Sequence, residues 1–385
     1  MFKRIFVSLI IILLIIPALA EDTTSVDKEA YQFKEIIEIP HTPVRDQEHS
    51  GTCWSFATIS LLETEALRKT DIDSIDLSEM YIARYAYEDK AEIYVKRHGQ
   101  ATFGQGGQAH DVIDQMKEEG LVPECVYPGY KVDGEINHRE IADVLQGFLD
   151  GLLDGRRITE RWKSAYQSIL DVYLGEEVKS FEYKGKKYQP KEFMNDYLQL
   201  NPENYIEIIS IPDRKAYEQM RLPVPDNWNY NNQYYNVPMK DMEKIVDHAL
   251  ENGYTVCWDA DVSDEYFGYQ DTCVAFVPLN EPKKDDTDLD LPVEEKKINP
   301  EMRQEAFNTF TTTDDHLMHL VGMAEDQRGN KFYKIKNSWG TETKYGGYYY
   351  ISLPYFNLRT INLMVNKKAL PKDIKKKMEI KTGWF

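Results

Sequence analysis

A short run near the N-terminus constrains the fold of this chain more than any other feature. Gln47 stands six residues before Cys53, and Trp54 follows Cys53 at the start of a segment whose apolar residues recur at helical spacing. Two other motifs lie far downstream, Asp315-His316 and Asn337-Ser338-Trp339-Gly340. If these motifs form one site, the fold must bring the beginning of a helix against segments from the other end of the chain.

Cysteine, histidine and asparagine in this order are the residue types of a thiol-dependent hydrolytic site. The N-terminus of a helix places partial positive charge beside the Cys53 sulfur and favours the thiolate. His316 could exchange the proton of the thiol, while Asn337 accepts the imidazole N–H and fixes the ring. Gln47 and the backbone N–H of Cys53 would form an oxyanion hole. We therefore predict Cys53, His316, Asn337 and Gln47 as catalytic residues, with Trp339 covering the histidine–asparagine hydrogen bond.

Two of these residues also have a purely structural interpretation. A cysteine that precedes a helix is ordinarily a small buried hydrophobe, and only its flanking residues favour catalysis here. His319 competes with His316, but His316 follows two acidic residues and opens an apolar strand. His319 fits a hydrogen-bonded strand histidine, so we prefer His316.

Other polar and glycine-rich segments are less specific. Gly106-Gly107 is either a simple turn or a surface on which the main chain of a peptide can lie, and we predict the second. Asp259, Asp261 and Asp264 suggest a cation site, but their spacing matches no standard loop and favours solvated carboxylates. The sequence therefore predicts no metal and no organic cofactor.

Net charge and cysteine usage restrict the partners and the covalent framework. The formal net charge is −19 and the isoelectric point about 4.9, which disfavours nucleic acid or anionic membrane as the main partner. With Cys53 assigned to the site, at most one disulfide can form among Cys125, Cys257 and Cys273, and the sequence does not choose it.

The N-terminus has the pattern of a signal peptide. A basic start is followed by the apolar run 5–16 and by Pro17-Ala18-Leu19-Ala20, a small-residue cleavage site. The alternative is an uncleaved membrane anchor, but the run is shorter than the roughly 20 residues that a spanning helix needs. We predict that residues 1–20 are removed and that the mature protein is secreted or periplasmic, with no stable membrane insertion.

Helices dominate the first part of the chain and strands the last part, which predicts an α+β fold with two lobes. The expected organisation is a helical lobe over 21–132, a mainly helical insertion over 133–231 and a β-rich lobe over 232–385. Helices are predicted at 55–69, 79–94, 116–119, 141–153, 161–174 and 239–252. Strands are predicted at 254–259, 317–323, 332–336, 347–353 and 361–365.

At these motifs the chain resembles papain-like cysteine peptidases, and most closely the bleomycin hydrolase or aminopeptidase C branch. Similar to that branch are Gln-x-x-Ser-Gly-x-Cys-Trp, Gly106-Gly107-Gln108, Gly120-Leu121-Val122-Pro123 and Asn337-Ser338-Trp339-Gly340. The spacing agrees: His316 lies 263 residues after Cys53, counted from position 53 to position 316, against about 130–150 in the papain and cathepsin pattern. The resemblance implies a two-lobed papain-like fold with a barrel-like antiparallel β lobe, and aminopeptidase activity on peptides or proteins.

Three features depart from the families that the chain resembles. Ser50 stands where the papain pattern has a cysteine, and cytosolic members of the branch have no signal peptide. The branch also threads its C-terminal tail into the cleft, whereas this sequence ends at Gly383-Trp384-Phe385 soon after the corresponding approach. An open-cleft endopeptidase, a non-catalytic peptide-binding protein of the same fold and a homo-oligomer all stay open at this point.

Overall fold

The computed structural model describes residues 30–380 apart from 133, 156 and 281–290. The predicted signal peptide, the acidic run 285–290 and the C-terminal residues 383–385 lie outside the described residues. Within the described part, no helix combines the length and apolar character needed to cross a membrane.

The described part of the chain contains both helices and strands, with three consecutive helices near its start and three consecutive strands near its end. The helices are α1 (Cys53–Lys69), α2 (Glu79–Lys96), α3 (Ala109–Glu119), α4 (Arg139–Leu153), α5 (Arg161–Leu174), α6 (Pro190–Glu192), α7 (Met239–Glu251), α8 (Pro300–Asn308), α9 (Leu353–Arg359) and α10 (Lys372–Lys377). The strands are β1 (Lys34–Glu38), β2 (Lys131–Val132), β3 (Glu135–Ile136), β4 (Phe181–Tyr183), β5 (Lys186–Tyr188), β6 (Tyr205–Ile209), β7 (Gln219–Met220), β8 (Tyr234–Asn236), β9 (Val256–Ala260), β10 (Val274–Ala275), β11 (His316–Glu325), β12 (Lys331–Lys336), β13 (Tyr348–Ser352) and β14 (Thr360–Asn366).

Helix α1 lies at the centre of the molecule. Residues 53–66 are all buried, although their sequence pattern suggests an amphipathic helix with a polar face toward solvent. The polar side chains have partners inside the protein: Glu63 accepts hydrogen bonds from Thr42 Oγ1 at 2.5 Å and from the Leu77 N–H at 2.7 Å. Because buried polar groups are satisfied in this way, α1 can contact α2 and α3 as well as β9 and β11.

Ten of the strands form one open, mixed sheet. The order of nine is β10-β13-β12-β11-β9-β14-β6-β8-β7, and β1 pairs with β11. The pairs β10–β13 and β6–β8 are parallel, and the others are antiparallel. Strands β7 and β10 stand at the two edges, and each has only two residues. The predicted α+β class is confirmed, but the β lobe is an open mixed sheet rather than a closed barrel, because such short edges provide no closing ladder.

The segment predicted as a mainly helical insertion is only partly helical. It contains α4, α5 and the β4–β5 hairpin, but also β6, which pairs with β14 in register from Ile209–Asn362 to Tyr205–Asn366. The nearly continuous apolar run of β6 suits a strand that is covered on both faces. From residue 205 onward this segment therefore contributes to the central sheet.

The hydrophobic core is divided between the two lobes. Of the two largest clusters, one joins α1, α2 and α3 with segment 181–205, and the other lies between the sheet and helices α7 and α9. Leu317 and Cys257, which belong to strands β11 and β9, are buried in the first cluster. The sheet therefore presents the beginning of β11 to the helical lobe.

A buried arginine fixes the segment that leads into β11. Arg303 on α8 is 5% exposed and donates to the carbonyls of Ser210 at 2.7 Å, Asn357 at 2.9 Å and Thr360 at 2.6 Å. We predict that Arg303→Met lowers the free energy of unfolding by about 3–5 kcal/mol, because three buried carbonyls lose their donor. Urea unfolding measures this, with Arg328→Met at an exposed position as the control. Equal stability of the two variants would contradict the assignment.

Glu63 should make the stability of the fold dependent on pH. Burial raises the pKa of Glu63 to about 7, although Lys336 opposes the shift. Since this pKa lies above that of the unfolded chain, the favourable contribution is complete below about pH 4.5 and disappears as the pH rises through about 7. We predict that the free energy of unfolding of Glu63→Gln, measured relative to that of wild type, increases between about pH 5 and 7.5. The total increase is up to about 3 kcal/mol. Denaturant titrations at several pH values test this, and Glu118→Gln at an exposed position should show no such trend.

Candidate active site

Cys53 is the first residue of α1, and its side chain is buried against β11. The Thr52 carbonyl begins the helix by accepting the N–H groups of Ser55 at 2.9 Å and Phe56 at 3.2 Å. Helix α1 packs against β11, and the backbone N–H of Leu317 opposes the rise in the pKa of the Cys53 thiol. Because Leu317 directly follows His316, this contact brings the cysteine motif and the histidine motif together.

His316 is oriented by Asn337, as the sequence predicts. Nε2 of His316 lies 2.7 Å from Oδ1 of Asn337, and both side chains are buried. The same Oδ1 accepts the Ser338 N–H at 2.8 Å, which identifies this atom as the acceptor oxygen. His316 therefore carries its proton on Nε2, and Nδ1 is the basic nitrogen of the neutral ring.

Trp339 covers this pair of residues. Its ring stacks on the ring of His316 with centroids 4.6 Å apart and an angle of 25° between the planes. Trp339 is 41% exposed, so its other surface faces solvent. The indole therefore shields the hydrogen bond between His316 and Asn337 from water, in the supporting position that the sequence predicts.

Gln47 is tied to the segment that carries Asn337. Its backbone N–H donates to the Ser338 carbonyl at 2.9 Å, and its Oε1 accepts the Ser338 hydroxyl at 2.6 Å. Nε2 donates to the Ser50 carbonyl at 2.7 Å. An amide nitrogen carries two hydrogens, so one can serve Ser50 and the other an oxyanion. The contacts orient Gln47 beside the helix that begins with Cys53.

The protonation of the two central groups differs from the expectation based on the helix alone. Burial raises the pKa of the Cys53 thiol to about 12, although the Leu317 N–H opposes the shift. Burial also lowers the pKa of His316 to about 4, in spite of the hydrogen bond with Asn337. Both shifts favour a neutral thiol and a neutral imidazole, because the low-dielectric surroundings penalise charge more than the helix N-terminus stabilises it.

His319 occupies a different place. It is buried behind the site, and its Nδ1 lies 2.7 Å from the Ser60 hydroxyl on α1. Lys336 Nζ donates to the same hydroxyl at 2.8 Å. His319 therefore joins the sheet to the central helix, while His316 is the histidine that contacts Asn337.

The glycine pair is close to the site, but the protein itself fills part of the space beside it. A Cβ on Gly107 would lie 2.7 Å from the carboxylate of Asp111 and 3.0 Å from the ring of Trp54. A Cβ on Gly106 would collide with the carboxylate of Asp226. The Lys90 ammonium donates a hydrogen bond to the Gly106 carbonyl at 2.5 Å. Because glycine has no side chain, other parts of the protein pack closely against both Gly106 and Gly107. At Gly106 the neighbour is the acidic side chain of Asp226.

Three carboxyl groups lie around Cys53, and the sequence motifs do not reveal this. Asp259, Asp226 and Asp314 each raise the pKa of the thiol electrostatically. Asp226 follows Cys53 by more than 170 positions in a loop of β-turn composition, and no residue pattern places it near a cysteine. Asp314 had a weak signal, since it precedes Asp315-His316.

The buried Asp259 and the partly buried Asp314 form a carboxyl pair. Gln108 Nε2 donates to both Asp314 oxygens at 3.1 and 3.0 Å, and Asn362 Nδ2 donates to Oδ2 of Asp259 at 2.6 Å. Burial raises the pKa of Asp314 to about 7 and that of Asp259 well above its usual value, with each carboxyl acting on the other. The two groups therefore share a proton near neutral pH.

The expectation that Asp259, Asp261 and Asp264 are solvated carboxylates is wrong. Asp259 and Asp261 are buried, and Asp264 forms an ion pair with Arg359. Polar groups of neighbouring segments make this burial tolerable, as in the Thr313 N–H that donates to Asp261 at 3.0 Å. Among the described residues, no group of His, Cys, Asp and Glu side chains is suited to hold a metal ion.

The cysteines outside the site are not linked to one another. All four cysteines have free thiols, with Cys125 exposed and Cys257 and Cys273 buried. The open alternative of one disulfide is therefore not realised in this structure.

Comparison with known proteins identifies the family. A family model described as "Peptidase C1-like family" matches residues 16–150 and 172–383, which include every residue of the site. Aminopeptidase G of Lactobacillus delbrueckii subsp. lactis is 25% identical over 381 residues, covering 87% of this chain and 83% of the relative. Aminopeptidase E of Lactobacillus helveticus is 26% identical over 371 residues, covering 85% and 81%.

A solved structure shares the fold. The crystal structure of PepW from Lactobacillus rhamnosis HN001 superposes with a TM-score of 0.70 at 20% sequence identity, covering 90% of this chain and 84% of that one. Since the family model spans most of the sequence and includes the cysteine, histidine and asparagine motifs, this chain belongs to the Peptidase C1-like family and is a papain-like cysteine peptidase.

Proposed function

We propose that this protein is a cysteine aminopeptidase, which releases residues from the free N-termini of peptides. The observation that carries the proposal is the position of Cys53 at the start of α1, which packs against β11, the strand that begins with a histidine held by Asn337 at 2.7 Å. The names of the relatives support the restriction to N-terminal residues, because several are aminopeptidases. We propose Cys53, His316, Asn337 and Gln47 as the catalytic residues.

Each proposed step uses a group of the site. As the sulfur of Cys53 attacks the substrate carbonyl, Nδ1 of His316 accepts the thiol proton, and the positive imidazolium keeps its hydrogen bond to Asn337. The carbonyl oxygen becomes negative and receives N–H groups from Gln47 and from the backbone of Cys53. His316 then protonates the leaving amine, and a thioester remains. A water molecule, deprotonated by His316, hydrolyses the thioester and restores the thiol.

Two other functions compete with this proposal. An open-cleft endopeptidase would use the same residues but accept blocked peptides, and deletion of residues 381–385 would leave its substrate preference unchanged. A non-catalytic peptide-binding protein would not be alkylated at Cys53 by iodoacetamide at neutral pH. The Asn337 contact gives His316 a proton-accepting nitrogen, which a binding protein does not need.

We also propose that the protein is exported. The support is the basic, apolar and small-residue pattern of residues 1–20. In that case the substrates are peptides outside the cytoplasm, and the acidic net charge keeps the enzyme away from anionic surfaces. Light scattering on the purified protein would determine whether it forms a homo-oligomer.

The substrate class is tested on purified mature protein in reducing buffer. We predict that aminoacyl fluorogenic substrates with free amines are hydrolysed at least about tenfold faster than their N-blocked counterparts. Cys53→Ala should abolish turnover of both and retain the far-UV circular dichroism of the wild type, because it removes only the nucleophile. Preference for blocked peptides would support the endopeptidase, and turnover by the alanine variant would refute the mechanism.

Paired substitutions distinguish the two histidines. We predict that His316→Gln lowers kcat by at least about 100-fold, because the general base is lost. His319→Gln can still hydrogen-bond Ser60, so kcat should stay within a few fold of wild type. Fluorogenic assays, continuous or stopped at fixed times, measure kcat for both variants. A larger loss in the His319 variant, with its fold intact, would transfer the catalytic role to His319.

Export is tested by the N-terminus of the protein from its native cells. We predict that mass spectrometry finds a mature chain beginning at Glu21 and that the protein occurs outside the cytoplasm. An intact Met1 in a cytoplasmic fraction would contradict both statements.

A further inference from the structure

Helix α2 carries a buried cation that the catalytic motifs do not explain. The side chain of Lys90 is 2% exposed, and its ammonium lies among three aromatic rings. Nζ is 5.4 Å from the ring centroid of Trp54 and 5.6 Å from those of Tyr87 and Trp228. Burial of an ammonium is costly unless polar groups replace the water that it loses, so the contacts of Lys90 indicate its role.

The ammonium binds the main chain of residues 104–107, here called the glycine loop. Nζ donates to the carbonyls of Gly104 at 3.0 Å and Gly106 at 2.5 Å, and the carbonyl of Gln105 lies 3.4 Å away. An ammonium carries three hydrogens, which matches these three consecutive carbonyls. Lys90 therefore fixes the direction of the carbonyls in a segment that has no regular secondary structure.

The direction of the carbonyls also sets the direction of the N–H groups. In a trans peptide unit the N–H points opposite to the C=O. The N–H groups of Gln105, Gly106 and Gly107 therefore point away from Lys90. Within the part of the chain that the structure describes, none of these three groups donates a hydrogen bond. They are free to donate to the main chain of a bound peptide.

The glycine loop also contacts the segment that carries the nucleophile. Oε1 of Gln105 accepts the Gly51 N–H at 2.7 Å, and the Gln105 carbonyl accepts Nε1 of Trp54 at 2.9 Å. Gly51 and Trp54 stand on either side of Cys53 in the sequence. A movement of the loop relative to α2 would therefore change the distance between its free N–H groups and the carbonyl that Cys53 attacks.

The groups that surround the ammonium keep it charged near neutral pH. Burial lowers the pKa of Lys90 to about 8, while Asp111, Asp226 and Cys53 oppose the shift. Lys90 in turn contributes to the lowered pKa of His138. Above about pH 8 the side chain becomes a neutral amine, which has two hydrogens for three carbonyls. The hold on the glycine loop is then weaker.

We propose that Lys90 is a positioning residue for the peptidase reaction, because its grip on the carbonyls of the glycine loop directs the N–H groups of that loop toward the substrate main chain. This inference rests on the peptidase activity of the proposed function, but it does not depend on the choice between free and blocked amines. Lys90 does not touch the reacting atoms. Its loss should therefore raise KM more than it lowers kcat.

The test compares Lys90→Met with wild type on the fluorogenic substrate, free-amine or N-blocked, that wild type hydrolyses faster. Methionine has a similar length but donates no hydrogen bond. We expect KM to rise at least about tenfold, because the charged donor to the loop carbonyls is lost, and kcat to stay within about threefold. Far-UV circular dichroism and denaturant unfolding verify the fold. The rate at which iodoacetamide alkylates Cys53 should also stay within about threefold, because this small reagent does not need the glycine loop.

The pH dependence of KM gives a readout that a purely structural role would not change. We expect the ratio of KM in Lys90→Met to KM in wild type to fall toward one between about pH 7 and 10, because wild type loses its ammonium in that range. An amine on the substrate titrates with both proteins, so its effect cancels in the ratio. A ratio that stays constant over this range would overturn the inference.

Two further variants serve as controls. Lys96→Met removes a lysine from the same helix at a side chain that is 70% exposed, and it should leave KM and kcat unchanged. Lys90→Gln keeps two N–H donors without the charge, so its KM should lie between those of wild type and Lys90→Met. Lys90→Gln also replaces Lys90→Met in the comparison if the methionine variant does not fold.

The remaining outcomes separate the inference from the proposed function. A folded Lys90 variant with the KM of wild type would refute the inference and leave the proposed function standing. Equal losses in kcat and in alkylation of Cys53, with KM unchanged, would mean that Lys90 acts on the nucleophile, which also refutes the inference. Turnover of neither substrate by wild type would overturn the proposed function and the inference with it.

Discussion

The packing of α1 against β11 determines the geometry on which the rest of the site depends. Because α1 is buried over residues 53–66, its position is set by contacts on every side. Polar links to the sheet, such as Ser60 with His319 and Glu65 with Asn366, fix the helix along its length. Each such link is costly to break, since an unsatisfied buried group destabilises the fold by about 1–3 kcal/mol. The same packing places the first residue of α1 beside the first residues of β11.

The electrostatics of the site follow from this burial. A thiol and an imidazole enclosed by protein are both more stable without charge, and the acidic groups nearby strengthen this preference for Cys53. A substrate that brings a positive charge would offset the effect of those carboxyl groups.

Local sequence patterns predicted most elements well, since helical spacing and capping residues act within a few positions of the chain. Helix α5 has the bounds that the sequence predicts, and α2 begins at the predicted residue after its Ser78 cap. Helix α8 was missed even though its start has a clear signal, an asparagine cap whose Oδ1 accepts the Met302 N–H at 2.8 Å, followed by proline. Strand β6 was missed because a short apolar run does not distinguish a strand from a helix.

The sequence by itself determined the fold class and the pairing of the histidine and asparagine motifs, because each motif carries its own local context. Only the tertiary structure decided that α1 is buried on all sides, that the sheet is open and mixed, and that His319 lies behind the site. It also decided the acidic surroundings of Cys53, which derive from residues far apart in the chain. The physical reason is that helix caps and periodicity are local properties, whereas burial and electrostatic neighbours depend on which distant segments the fold brings into contact.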